Sequence, residues 1–181
     1  MAQTRQTIQN FYTQSQSKDF ARLNLFRVLN IDFGDGSDVN FDEDDLVYAM
    51  TASLPKKDIT SNSVAYMGLE FNVPGVAKYP GSNAYTIRFR CDETYDLRNR
   101  FLQVINDTFD DADSTGNYFI PNANSVIDLA LLDKQLDRVS QFQLVGVAPV
   151  SVGDIQYDAT GDGGIAEFDV TVSYHYFRQT A

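Results

Sequence analysis

The fold class is decided by residues 144–178, LVGVAPVSVGDIQYDATGDGGIAEFDVTVSYHYFR. In the last part of this stretch, apolar or aromatic residues alternate with polar ones. The first set is Phe168, Val170, Val172, Tyr174 and Tyr176, and the second is Asp169, Thr171, Ser173 and His175. A period of two predicts a β-strand with one packed face and one face open to solvent or to a partner. Residues 161–164 (GDGG) tolerate positive φ and predict a hairpin before this strand.

Further strands are predicted at residues 23–33, 46–52, 85–91, 125–132 and 136–147. Apolar residues at helical spacing predict one amphipathic helix over residues 93–109, with Asp92 as its N-cap. Residues 56–82 show little periodicity and are interpreted as a functional loop or a mobile contact segment. The predicted fold is therefore mainly β (α+β), with two antiparallel sheets packed as a sandwich or barrel and one flanking helix.

The chain divides into an N-terminal arm or short helix, residues 1–17, and a single β domain, residues 18–181. Ile8, Phe11 and Tyr12 lie on one face of the predicted arm helix. The N-terminus lacks the apolar core of a secretory signal, and no apolar run is long enough to cross a bilayer. Because Cys91 is the single cysteine, an intrachain disulfide is excluded, which indicates a reducing compartment.

The chain carries a formal net charge of −11, which argues against nucleic-acid binding because that requires a surplus of Lys and Arg. One acidic loop, residues 34–45, contains Asp35, Asp38, Asp42, Glu43, Asp44 and Asp45. A second cluster contains Asp107, Asp110, Asp111 and Asp113. Two interpretations stay open: a plain solvated loop, or a surface that keeps DNA from adhering.

The basic residues concentrate at four positions, which are Arg88, Arg90, Arg98 and Arg100. They are candidates for salt bridges between subunits, with ordinary surface pairing as the alternative. Phosphate contact is disfavoured, because neither neighbouring Lys residues nor stacking aromatic residues accompany them.

A near match to a calcium-binding loop lies at residues 158–169, with Asp158, Asp162 and Asp169 at ligand positions. Helices should flank such a loop, whereas both flanks here are predicted strands, so a plain hairpin is favoured. The single His175 and the single Cys91 exclude a zinc site or a Cys–His pair. No nucleophile, phosphate or dinucleotide motif is present, so we predict neither catalysis nor a cofactor.

Several ordered segments resemble the tail tube protein of contractile-tailed (myovirus-like) bacteriophages. They are residues 18–22 (KDFAR), 24–26 (NLF), 52–55 (ASLP), 66–68 (YMG), 73–75 (VPG), 146–155 (GVAPVSVGDI) and 167–170 (EFDV). Asp92-Glu93 with Arg98 and Phe101 is similar to the start of that family's helix. The resemblance spans about residues 18–178. Unlike many members, this chain has no Trp and has a longer acidic loop.

The resemblance implies a structural protein of the virion, which assembles as hexameric rings stacked into a hollow tube for DNA delivery. Its implied partners are copies of itself, the tail sheath, the baseplate and tail-terminator proteins, and a tape measure protein inside the tube. DNA would pass through without specific binding, and no membrane would be involved. Assembly is implied in the host bacterial cytoplasm.

Two alternatives to a phage tail tube remain open. One is the tube protein of a contractile injection or secretion machine, which would use the same ring architecture. The other, of a different class, is a soluble acidic β-sandwich that binds calcium or carbohydrate. Size separates this second alternative from a tube subunit, because a soluble binding domain would stay monomeric at any concentration.

Overall fold

The structure, a computed structural model, describes residues 7–161 and 163–180. The helices in this part are α1 (Ile8–Ser17), α2 (Glu43–Leu46) and α3 (Asp96–Thr108), with a 3₁₀ turn at Gly34–Gly36. The strands are β1 (Phe26–Asp32), β2 (Ala49–Thr51), β3 (Asp58–Tyr66), β4 (Leu69–Lys78), β5 (Tyr85–Arg90), β6 (Val126–Leu132), β7 (Arg138–Val145), β8 (Ala148–Val152), β9 (Glu167–Ser173) and β10 (Tyr176–Gln179). No helix of the described residues is both long enough and apolar enough to cross a membrane.

Two four-stranded antiparallel sheets form the body of the fold. Their strand orders are β1-β6-β7-β10 and β2-β5-β9-β8. Both sheets contribute to one apolar core, with Val28 and Ile127 from the first sheet and Phe89 and Val170 from the second. The predicted packing of two antiparallel sheets is confirmed, as an open sandwich rather than a closed barrel. The open ends of the sheets leave β1, β10, β2 and β8 as edge strands.

The predicted C-terminal strand is divided into two strands that belong to different sheets. Phe168, Val170, Val172 and Tyr174 are buried, but Tyr176 is exposed, so the prediction for Tyr176 was wrong. The chain crosses between the sheets at Tyr174 and His175. The Tyr174 N–H donates to the Ser82 carbonyl at 2.7 Å, and the His175 N–H donates to the Val145 carbonyl at 2.9 Å. Beyond the crossing the alternation reverses, and Phe177 packs against the core instead.

Gly146 makes the crossing sterically feasible. Its φ is +72°, and a Cβ atom added there would lie 2.3 Å from the His175 Nδ1 atom. Glycine is the residue that adopts this backbone conformation without steric cost. Strands β8 and β9 form the predicted final hairpin, but β8 ends at Val152 and β9 begins at Glu167, so the connection is longer than the predicted tight turn.

Helix α3 covers one side of the sandwich. Leu97, Phe101 and Val104 are buried, as the helical spacing predicts. The Phe101 ring lies 4.4 Å from the Phe41 ring and 5.4 Å from the Phe89 ring, measured between centroids. This aromatic cluster therefore ties the helix both to the second sheet and to the acidic loop.

Helix α3 begins three residues later than predicted, and its N-cap residue is Tyr95 rather than the predicted Asp92. Asp92 still binds the first turn of the helix through its side chain. The Asp92 carboxylate accepts the N–H groups of Asp96 at 3.1 Å and Leu97 at 3.4 Å, and also the Thr94 hydroxyl. Burial opposes the ionised form of Asp92, but these hydrogen bonds outweigh it and hold its pKa below the ordinary value.

The acidic loop is partly structured. Its last residues form the short helix α2, whose start has a capping box between Asp42 and Asp45. Phe41 within the loop is buried, with its ring beside those of Phe33 and Phe101. The loop is therefore held against the body of the fold, which the charge pattern did not predict.

Residues 56–82, interpreted as a loop from their weak periodicity, contain the longest strands of the fold. Strands β3 and β4 form a separate two-stranded hairpin, and every one of the ten residues of β4 is exposed. The turn residues Met67 and Gly68 have φ values of +50° and +82°. Two consecutive positive φ values are those of a type I′ turn, which suits a two-residue hairpin connection.

Candidate assembly surfaces

The β3–β4 hairpin has one apolar face and one polar face. The register places Val64 opposite Phe71 and Tyr66 opposite Leu69 on the same face, with Val73 next to them. These five side chains are between 46% and 66% exposed. We call this set the hairpin apolar face. Its exposure marks an interaction surface, since soluble chains rarely leave contiguous apolar area uncovered.

The opposite face of the hairpin is polar. It is formed by the pairs Ser61–Pro74, Ser63–Asn72 and Ala65–Glu70, and the Ser63 hydroxyl donates to the Glu70 carboxylate. The difference between the two faces is what a strand pair buried on one side requires. The hairpin is therefore built to lie against something on its apolar side.

Helix α1 is a second uncovered element, and none of its residues is buried. Ile8, Phe11 and Tyr12 form one exposed apolar stripe, between 58% and 73% exposed. The segment that follows the helix is held to the body of the fold, because the Asp19 carboxylate pairs with the Lys134 ammonium group in the β6–β7 turn. Among the described residues, this contact ties the segment after α1 to the body of the fold, while the apolar stripe of the helix stays exposed.

An apolar groove of about 400 Å³ lies between residues 21–26, residues 52–54 and strand β6. Its walls include Leu23, Leu25, Leu54, Leu129 and Leu131. Leu23 is fully exposed and Leu54 is about half exposed. Exposed edge strands next to apolar side chains are a place where a further strand or chain can add.

The four predicted contact arginines are not brought together, and three of them have partners within the chain. Arg88 binds Asp169 in two hydrogen bonds of 2.7 and 3.1 Å. Arg100 pairs with both Asp45 and Asp96 at 2.6 Å. Ordinary pairing inside the chain therefore accounts for both Arg88 and Arg100.

Arg98 is held differently from Arg88 and Arg100. Its Nη2 atom donates to the Gly153 carbonyl at 3.2 Å. Its Nε atom is buried and has no hydrogen-bond partner. Among the described residues it is the one buried side-chain nitrogen or oxygen of which this is true. Arg90 is exposed on the outer face of β5. Contacts of these arginines between subunits remain a prediction.

The acidic candidates lie on the surface of the loop and helix α2. Asp35, Asp38, Asp42, Glu43 and Asp44 are exposed, while Asp45 is half-buried beside Arg100. Glu43 lies 3.3 Å from Arg27, with both side chains largely exposed. Since most of these carboxylates face outward, they are available to a partner or a lumen.

The carboxylates of the calcium-like loop are used by other groups. Asp158 accepts hydrogen bonds from the backbone and hydroxyl of Thr160, which lower its pKa. Asp169 lies on β9, and the hydrogen bonds from Arg88 hold its pKa below the ordinary value. Asp162 lies outside the described residues. In the described part of the chain, no group of three or more His, Cys, Asp or Glu side chains could hold a metal ion.

Two further titratable groups face the interior. Tyr85 donates a 2.5 Å hydrogen bond to the Ser53 carbonyl, and burial raises its pKa above the ordinary value. Burial also raises the pKa of the half-buried Cys91 thiol, as expected for a small apolar packing residue.

The chain was compared with known proteins. No protein-family profile matches it. It is 24% identical over 169 residues to tail tube protein gp19 of Enterobacteria phage T4, covering 90% of this chain and 94% of that protein. Among solved structures, a chain of the anti-feeding prophage baseplate matches 90% of this chain and 97% of its own length, with 13% identity and a TM-score of 0.63.

A chain of the anti-feeding prophage tube-terminating cap also matches, with a TM-score of 0.53, 14% identity and coverage of 90% of this chain and 92% of that chain. These structural matches show the shared fold. Together with the relative from phage T4 they confirm the resemblance that the sequence predicted: the chain is a homologue of the tail tube protein of a contractile phage tail.

Proposed function

We propose that the chain is the building block of a tail tube, which assembles as hexameric rings stacked into a hollow conduit for DNA. The observation that carries this proposal is the alignment with the phage T4 tail tube protein along 90% of the chain. We assign the chain a structural role and no catalytic one.

The fold supports assembly by contact between copies. A head-to-tail contact joins two different surfaces of the same chain, so that it can close a ring and also repeat along an axis. The chain offers several surfaces that are incomplete alone: four edge strands, the hairpin apolar face and the α1 stripe. Edge strands of this kind are an aggregation hazard in a monomer and become joints in an assembly.

The proposed tube has an acidic inner wall, to which the exposed carboxylates of the acidic loop contribute. Each copy has a net charge of −11, and six copies would surround the DNA path. Screening limits the field to about 8–10 Å at physiological salt, which is enough to keep phosphates from adhering to the wall. Converting Asp35, Asp38 and Asp44 to Lys should slow DNA ejection, and unchanged ejection kinetics would count against a lumenal position.

Contacts between the arginines and the acidic loops of neighbouring copies form a second part of the proposal. Arg98 and Arg90 are the stronger candidates, because Arg88 and Arg100 form ion pairs with carboxylates inside the chain, whereas Arg98 and Arg90 form none among the described residues. Arg98→Glu should raise the concentration needed for assembly. If the Arg98→Glu variant assembles as readily as the unsubstituted chain, then Arg98 serves the structure of its own chain and not a contact between copies.

The proposed partners of the tube are the sheath around it, the baseplate below, the terminator above and a tape measure protein inside. The similarity to chains in the baseplate and terminating-cap structures supports contact with proteins of these kinds. The proposed location is the virion or particle, after assembly in the bacterial cytoplasm.

A tube protein of a contractile injection machine is the second candidate function, and the fold shared with anti-feeding prophage chains favours it. The relative from phage T4 favours the phage tail. The two candidates differ in cargo. Particles purified from cells that carry this gene in its native context should contain DNA in the first case and lack it in the second.

Sedimentation velocity across a wide concentration range tests the proposal that the chain forms rings. A tube subunit should show a species of six copies and larger multiples of it. A soluble calcium- or carbohydrate-binding sandwich would remain a 20.3 kDa monomer throughout. Adding calcium in a parallel series tests that alternative directly, since a binding domain would change in stability and a tube subunit would not.

A further inference from the structure

We propose that helix α1 of one copy packs on the hairpin apolar face of a neighbouring copy. This inference rests on the proposed function, because it names a contact within the assembly. It joins two elements whose apolar faces stay largely exposed among the described residues, although the Phe11 ring lies 6.1 Å from the Phe20 ring of its own chain.

Each element is incomplete on physical grounds. Helix α1 has 10 residues and no buried side chain, and helices of this length are marginal in water without tertiary packing. The β3–β4 sheet has two strands, and an isolated two-stranded hairpin is also marginal unless it packs against a helix or a further strand. A helix laid on the hairpin stabilises both.

The dimensions of the two surfaces match. A helix of 10 residues is about 15 Å long. The hairpin apolar face extends from Asn62–Val73 to Tyr66–Leu69, and five residues of strand span about 17 Å. The apolar stripe itself, from Ile8 to Tyr12, spans about 6 Å, so it covers part of the apolar face while the polar second half of the helix extends along the rest.

Charge favours the same pairing. Copies with a net charge of −11 repel one another, so contacts form most readily where charge is absent. Residues 7–17 contain no charged side chain. Residues 59–77 contain one, Glu70, and it lies on the polar face of the hairpin. Both segments are therefore nearly free of charge, as are residues 114–127 and 139–153, and the first two carry the uncovered apolar faces of α1 and of the hairpin.

Crosslinking tests the contact directly. In a Cys91→Ala background, Phe11→Cys and Phe71→Cys variants with different affinity tags are mixed, assembled and treated with a short bismaleimide. The inference predicts a crosslinked product that carries both tags. Asn72→Cys replaces Phe71→Cys as the control, because it lies next to Phe71 on the opposite face. In assembled particles, the inference would be overturned if Phe71→Cys crosslinked no more than the Asn72→Cys control, or did not crosslink at all.

A double variant, Phe11→Cys with Phe71→Cys, separates contact between copies from contact within one chain. Crosslinking inside the dilute monomer would show that the helix folds onto its own hairpin, which also overturns the inference. Crosslinking that requires assembly supports it.

Assembly measurements supply an independent test. Phe11→Ser should raise the critical concentration for assembly by about tenfold or more, since a fully buried aromatic side chain contributes that much or more to a contact. Asn10→Ser, on the opposite side of the helix, should leave it unchanged. If the unsubstituted chain assembles and Phe11→Ser assembles equally well, the inference is wrong while the proposed function stands. If the unsubstituted chain never assembles, both are wrong.

Discussion

Arg100 links helix α3 to the acidic loop, and its substitution separates a role inside the chain from a role between copies. Its guanidinium group pairs with Asp45 and with Asp96, each at 2.6 Å. Asp45 in turn accepts the Asp42 N–H at 3.0 Å at the start of α2. Replacing Arg100 with Gln should therefore loosen the loop and lower the free energy of unfolding of the monomer.

The magnitude follows from the exposure of the partners. The side chains of Arg100 and Asp45 are 31% and 21% exposed. Fully exposed ion pairs couple by about 0.2–1 kcal/mol, while breaking a buried pair costs about 3–5 kcal/mol. A half-buried pair at short distance lies between these limits. We expect a coupling free energy of about 1 kcal/mol between Arg100 and Asp45.

A double-mutant cycle measures this coupling. Urea unfolding of the monomer is compared for the unsubstituted chain, Arg100→Gln, Asp45→Asn and the double variant. The matched control is the cycle of Arg27 and Glu43, whose side chains are 41% and 72% exposed and should couple by less than about 0.5 kcal/mol. Coupling near zero for Arg100 and Asp45 would refute the assignment of this pair to stability within the chain.

Three further predictions concern the body of the fold. Phe101→Ala should lower the free energy of unfolding by about 3–5 kcal/mol and Phe101→Leu by much less, as measured by urea unfolding. Gly146→Ala should destabilise by about 1–3 kcal/mol, because it strains a positive φ and meets the His175 ring; a neutral result would mean that the crossing is placed wrongly. Stability should fall as the pH drops below about 4, because Asp92 has a folded pKa below its unfolded value and must take up a proton. Asp92→Asn should flatten this part of the urea-derived pH profile.

The core of the fold could be predicted from the sequence, because burial along its strands follows the alternation of apolar and polar residues. Tyr85, Ile87 and Phe89 alternate on β5, and all three are buried. Asp92 was predicted as the N-cap from its residue type; the N-cap residue is Tyr95, but the Asp92 carboxylate does accept N–H groups of the first turn of α3. Both the burial and these hydrogen bonds follow from properties of neighbouring residues.

The predictions were wrong where contacts between residues far apart in the sequence determine the structure. Tyr176 continues the alternation of residues 168–174, yet the chain crosses to the other sheet before it. No pattern in the neighbouring residues marks this crossing. Gly146, which makes room for it, lies far earlier in the sequence. The β3–β4 hairpin was missed, although Val64 and Tyr66 alternate on one side of Met67-Gly68 and Leu69 and Phe71 on the other. That signal was present and could have predicted the hairpin.

The candidate surfaces could be predicted only in part. Charge density located the acidic loop, but it did not predict that Phe41 holds the loop against α3 or that Asp45 pairs with Arg100. A pairing inside one chain and a pairing between chains require the same residue types, so the composition of the arginine set could not separate them. The apolar stripe of α1 was predicted from spacing alone, because a short amphipathic helix has a local signature.

Cryo-electron microscopy of the purified chain, incubated with a matching baseplate as a seed, tests the central claim most directly. That claim is that the open edges and apolar faces of this molecule are completed by further copies of itself. The account predicts sixfold rings that stack into hollow tubes growing from the baseplate. Particles that remain single subunits at every concentration, with bare baseplates beside them, would contradict it.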